Sequence, residues 1–168
     1  MVLIVMGVSG CGKSTVGSAL AGELGWEFIE GDEFHSQASR DKMARGIPLE
    51  DADRWPWLRA LHAEIERRVR DGRGAVLACS ALKRSYRDVL RSGIEDETRV
   101  AYLHAPAEVL RSRLETRRGH TFPPHLLDSQ LATLEDPTGE PGVIPVDARE
   151  QVSRIVASLG RALRKEPA

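Results

Sequence analysis

The chain contains no asparagine. That excludes the Asn-Lys-x-Asp guanine reader of regulatory GTPases and leaves a nucleotide-binding reading to other means. Aromatics are scarce, with three tryptophans, two tyrosines and three phenylalanines, too few and too little interleaved with basic residues to make a stacking platform for single-stranded nucleic acid. There is no basic excess either: 24 Lys and Arg against 25 Asp and Glu leave a formal charge of −1, which argues against a dedicated nucleic-acid binder. Two cysteines, Cys11 and Cys79, make no disulfide framework and read as reduced thiols of a cytoplasmic protein. No apolar run is long enough for a membrane span, and the N-terminal run of about five residues reads as neither a span nor a signal peptide. At 168 residues the length suits one domain, 1–168, burying roughly 70% of its unfolded surface.

What is present is concentrated at the N-terminus. Gly7-Val8-Ser9-Gly10-Cys11-Gly12-Lys13-Ser14 matches G-x-x-x-x-G-K-[ST], follows the β-rich run Val2 to Met6, and leads into helical spacing at Val16, Leu20 and Leu24. Strand, loop and helix in that order are the context the motif needs, and a chance glycine turn rarely has it. The three glycines open conformations in which successive N–H groups turn inward around phosphate oxygens at a helix N-terminus. Lys13 supplies a mobile charge for the β and γ phosphates, and Ser14 is the expected protein ligand of Mg²⁺. Gly7 to Thr15 thus form a candidate nucleoside triphosphate site.

Further strand-like runs at Trp26 to Ile29, Ala75 to Cys79, Val100 to Leu103 and Val143 to Val146 alternate with helical segments. These predict Lys13 to Leu24, Ser36 to Arg45, Trp55 to Arg70, Lys83 to Arg91, Ala107 to Thr116, His125 to Leu134 and Arg149 to Leu163. Alternation of this kind predicts an α/β fold with a parallel sheet covered by helices on both faces, and ligands beyond the carboxyl ends of its strands. Asp32 falls there, after the second strand, as a base for an acceptor hydroxyl or a water-mediated Mg²⁺ contact; a helix N-cap is the plainer reading. His35, close by, is a surface histidine or a substrate contact. Lys42, Arg54, Lys83 and Arg87 are cations that the fold brings to the same end, although each cluster alone reads as a solvated helix face. Arg113 and Arg117 share one helix face and suit closure over ATP, with Gly119 as a hinge. Trp55-Pro56-Trp57 opens a helix, with its indoles in the core or a cleft wall.

The combination of Met6-Gly7-Val8-Ser9-Gly10, Glu30-Gly31-Asp32 with His35, Lys42-Met43, Gly46-Ile47-Pro48-Leu49, Asp53 to Leu58, Cys79 to Asp88 and Arg118-Gly119-His120 resembles the gluconate kinases (gluconokinases) of the small P-loop kinase type, over about Val2 to Val156. The resemblance implies a three-layer P-loop kinase fold, a five-stranded sheet in the order 2-3-1-4-5, a mobile lid over about 117–128, and a homodimer. It implies transfer of the ATP γ-phosphate to the 6-hydroxyl of D-gluconate, with ATP and Mg²⁺ as cofactors and no nucleic-acid or membrane partner. Carried over by position, it assigns Lys13, Asp32 and Arg117 to catalysis, Gly7 to Thr15 with Arg113 and Arg117 to ATP, and Ser14 to the metal. Asp32, His35, Lys42, Arg54, Lys83, Arg87 and Gln130 fall to gluconate. The bottom-up alternatives are a sibling kinase acting on shikimate or a nucleoside monophosphate, and a nucleotide-binding regulatory module without turnover. Retention of Lys13, Ser14 and Asp32 together speaks against the last.

Overall fold

A computed structural model describes residues 1–116 and 123–165. Five strands, β1 (Val2–Met6), β2 (Glu27–Glu30), β3 (Ala75–Ala78), β4 (Thr98–His104) and β5 (Val143–Asp147), form one sheet in the order β2-β3-β1-β4-β5. All pairings are parallel, with Val5 opposite both Ala78 and Ala101. The predicted order and connectivity therefore hold. Central β1 and β3 are buried along their whole length, which is why they read as unbroken apolar runs, while edge strands β2 and β5 are only partly covered. Pro145 sits on edge strand β5, where a missing N–H costs no ladder bond on the open side.

The helices are α1 (Lys13–Leu24), α2 (Gln37–Ala44), α3 (Asp51–Arg70), α4 (Arg84–Arg91), α5 (Ala107–Thr116), α6 (Pro124–Thr133) and α7 (Val152–Lys165). They divide the apolar residues between the two faces of the sheet. One core joins Leu3 and Val5 to Leu20, Leu110, Leu127 and Leu159; the other joins Ile4 and Met6 to Leu58, Leu61, Ile65 and Leu90. Alternate residues of β1 feed opposite cores, as strand geometry requires.

Two helix starts differ from expectation by more than one residue. α3 begins at Asp51 rather than Trp55, so Pro56 lies in its second turn. The residue before a proline disfavours helix, but two aspartates within the extra turn anchor it to groups outside α3. Asp51 accepts from Lys83 Nζ at 3.0 Å and from the Tyr86 hydroxyl, while Asp53 accepts from Lys42 Nζ at 2.8 Å and from the Glu50 N–H at 2.9 Å. Both also face the positive end of the helix dipole. At the other end of the chain, α7 begins at Val152 rather than Arg149. The Asp147 carboxylate takes the Arg149 N–H at 2.9 Å and the Ala148 N–H bonds the His104 carbonyl at 2.8 Å, so this stretch closes a turn instead.

Candidate active site

The phosphate loop runs from the end of β1 into α1. Gly7 has φ +144°, and a Cβ there would lie 2.5 Å from the Leu103 carbonyl oxygen and 2.7 Å from Cys11 Sγ. Gly12 has φ +97° with open space before it. The first glycine therefore lets the loop lie tight against β4, and the second leaves the helix mouth clear. The first bond within α1 is Val16 N–H to the Gly12 carbonyl at 2.9 Å, so the N–H groups of Lys13, Ser14 and Thr15 lie ahead of it, as anion donors do. Lys13 Nζ rests on the Val8 carbonyl at 3.2 Å.

Glu30, at the end of β2, takes the Ser14 hydroxyl at 2.6 Å on its Oε2. In the sequence it stands within Glu30-Gly31-Asp32 with no role of its own; its place at a strand end was the available signal. A hydroxyl and a carboxylate beside a phosphate site are hard oxygen donors, the kind Mg²⁺ takes one or two of while keeping waters and substrate phosphates. The residues fit that ion. Among the described residues, no group of three His, Cys, Asp or Glu side chains makes a metal cage.

Asp32 lies in a short 3-10 turn, Gly31–Phe34, and not at a helix N-cap. Its side chain is 71% exposed, 3.8 Å from His35 Nε2. His35 is no surface histidine. It is 5% exposed, stacks on Trp57 with ring centroids 4.2 Å apart, and has no partner for Nδ1. Burial holds its pKa below the ordinary value, with Asp32 opposing and Arg54 and Arg40 adding to the effect. A neutral ring that keeps its proton on Nε2, toward Asp32, leaves only a bare lone pair buried at Nδ1, which is cheaper than a buried unpaired N–H. Trp57 Nε1 in turn donates to the Gly31 carbonyl at 2.8 Å, fixing the turn that carries Asp32.

Two clefts meet here. One, about 550 Å³, runs along the phosphate loop past Ser14, Glu30 and Arg113. The other, about 510 Å³, is walled by Met43 to Leu49, His35, Arg54, Ser80 and the first turns of α6. Ser9, Lys13 and Asp32 line both. Arg54 and Gln130 reach the second cleft as expected, whereas Lys42 and Lys83 do not line it. Those lysines hold the two carboxylates just ahead of Arg54 in the first turn of α3, and they lower the pKa of Asp53 and, after Tyr86, of Asp51. Arg87 does not line the cleft either: it is 1% exposed, with its guanidinium bonded to Glu140 and to the carbonyls of Ala81 and Leu82. Four of its five N–H donors are taken in this way, and it lines neither cleft. Arg113 lines the phosphate cleft and donates to the Ala148 carbonyl at 2.6 Å. Arg117 and Gly119, with the first part of the expected lid, lie outside the described residues.

A protein-family profile described as an AAA domain matches residues 2–137, which take in both clefts. The gluconokinase of Gluconobacter oxydans (strain 621H) is 46% identical over 98% of this chain and 92% of its own, and the probable gluconokinase of Mus musculus 44% identical over 97% of each. The chain belongs to the gluconokinase family. A solved gluconokinase from Sinorhizobium meliloti 1021 superposes with a TM-score of 0.83 at 44% identity, covering 96% of this chain and 94% of that one. The chain is thus an ATP-dependent kinase of this family by descent, with a P-loop nucleotide site. The gluconokinase resemblance took in the Asp32 to Leu58 segment and, within Cys79 to Asp88, Ser80, but not the Ala148 to Val152 segment beside Arg113, which lines a smaller cavity of about 180 Å³ with Thr15 and Val16. That last stretch carries no motif and is brought in only by where β5 ends. Among the described residues no helix is long and apolar enough to cross a membrane.

Proposed function

We propose that this kinase transfers the γ-phosphate of ATP to the 6-hydroxyl of D-gluconate, giving 6-phosphogluconate and ADP. The observation that carries the reading is the junction of a phosphate cleft and an acceptor cleft at Ser9, Lys13 and Asp32. Phosphoryl transfer asks for an in-line meeting of donor and acceptor with charge neutralised and water excluded. Lys13 and the N–H groups that open α1 hold the triphosphate. Arg54 grips the acceptor carboxylate: among the described residues it makes no ion pair, and it is held over the Tyr86 ring, 5.6 Å from its centroid. With the anionic end so bound, the far hydroxyl reaches Asp32, which takes its proton as the new O–P bond forms and the bond from the γ-phosphorus to the bridging oxygen of ADP breaks. His35 keeps Asp32 aimed. When bound, Mg²⁺ neutralises charge developing on the phosphate oxygens, and Ser14 and Glu30 are the residues that would hold it. Arg113 and Arg117, with a lid over 117–128, close over the nucleotide on this reading.

The test is a coupled ADP-release assay with Mg·ATP against D-gluconate, shikimate, AMP and GMP in parallel. Release with gluconate alone supports the assignment; release with another acceptor overturns the substrate while keeping the chemistry. The homodimer and the cytoplasmic setting belong to the same proposal, and light scattering of the purified protein tests the former.

A further inference from the structure

Helix α6 carries a side chain placed between the two clefts. Leu127, fully buried, packs in the same core as Val8, Leu110 and Leu114, and so seats α6 beside the phosphate loop. Gln130, three residues on, shares that side of the helix. Its Oε1 accepts the Ser9 backbone N–H at 2.7 Å. Because the partner is a donor, the carboxamide oxygen and not its nitrogen must face Ser9, which fixes the flip of a group that coordinates alone leave ambiguous. The amide is planar, so Nε2 then projects away from the loop with two donors. Gln130 lines the acceptor cleft beside Leu126 and Ser129, and among the described residues none accepts from Nε2.

We propose that Gln130 is a positioning residue that couples the acceptor cleft to the phosphate loop, one end of its carboxamide holding Ser9 and the other donating to an oxygen of the bound sugar acid. This rests on the kinase reading above. Ser9, like Lys13, is a phosphate-loop residue that lines both clefts. An acceptor oxygen on Nε2 fixes the amide plane, and polarisation along the chain of hydrogen bonds strengthens the bond to Ser9. The loop is then held in its phosphate-binding shape, so acceptor binding tightens nucleotide binding and, by linkage, nucleotide binding tightens acceptor binding to the same degree. A purely structural tie between α6 and the loop would change stability and both affinities without linking them.

The experiment titrates a non-hydrolysable ATP analogue with Mg²⁺ into the full chain, with and without saturating D-gluconate, for wild type, Gln130→Met and Gln130→Glu. Wild type is expected to bind the analogue about fivefold or more tightly with gluconate present. Gln130→Met, which loses both ends, is expected to show no measurable coupling. Gln130→Glu keeps an acceptor for Ser9 and a wild-type melting temperature, but has no donor for the sugar and loses the coupling as well. Retention of the wild-type factor in both variants, or its absence from wild type, overturns the inference. Gluconate-dependent turnover of wild type is measured alongside: turnover with unchanged coupling in the variants sinks the role of Gln130 alone, whereas no turnover sinks the kinase reading and this inference together.

Discussion

The Arg87 guanidinium clasps the Glu140 carboxylate, with Nε and Nη2 donating to its two oxygens at 2.9 and 2.5 Å while Nη1 donates to the carbonyls of Ala81 and Leu82. One buried side chain thereby ties α4 to the loop after α6. It also steadies Ala81, whose φ of +44° is unusual for a residue with a Cβ, next to Ser80 in the wall of the acceptor cleft.

Breaking that pair leaves Glu140 without its partner in a largely buried place, and such losses cost about 3–5 kcal/mol. Arg87→Met is therefore expected to lower the urea midpoint strongly at constant slope. A variant of normal stability that had lost only gluconate affinity would return Arg87 to the acceptor site.

Lys13→Ala is expected to abolish turnover. Asp32→Asn is expected to keep ATP affinity and lower kcat by about 10²- to 10⁴-fold, the range for losing a positioned base. Near-normal kcat in Asp32→Asn would remove its catalytic role.

Arg54 and Lys83 separate by the same logic. Charge-assisted hydrogen bonds are worth about 1.5–3 kcal/mol, so Arg54→Met should raise the gluconate KM about 10- to 100-fold. Lys83→Met acts only through Asp51 and should raise it far less. Initial-rate kinetics on both variants decide the matter, and equal effects would place Lys83 on the substrate.

Burial lowers the folded-state pKa of His35 below its reference value of 6.5. As pH falls below that value the unfolded chain takes up the proton first. This contribution to stability is therefore full above the unfolded pKa and is lost as pH falls through the folded pKa. His35→Phe keeps an aromatic ring on Trp57 but cannot titrate. Melting temperatures measured from about pH 7 down to about pH 5 should fall less steeply for it than for wild type. Parallel curves would mean that His35 titrates as it does in the unfolded chain.

Much of this was legible in the chain as written. β1 and β3 announce themselves because burial on both faces leaves nothing but apolar residues, and α1 and α5 have their observed limits because their breakers, such as Gly25 with φ +67°, are local. The P-loop is equally local: its function lies in consecutive N–H groups and needs only neighbours in sequence. Asp32 and Arg54, which line the acceptor cleft, were picked out because one follows a strand end and the other lies in a recognised segment, whereas Gln130, which lines it too, was picked out by the resemblance alone.

The fates of the cations were not legible. Lys42, Lys83 and Arg87 look alike in sequence, yet one pairs with Asp53, one with Asp51, and one is buried on Glu140, 53 residues away. Sequence supplies the charges but not their distances, and in a Coulombic interaction the distance and the surrounding dielectric decide the energy. The sequence by itself determined the sheet, its order of secondary elements and the phosphate loop, because these follow from hydrophobic periodicity and short-range backbone geometry. Only the tertiary structure decided that Arg54 makes no ion pair among the described residues, that His35 is buried against Trp57, that Glu30 meets Ser14, and that α6 reaches back to Ser9. Each depends on bringing distant segments within hydrogen-bond reach.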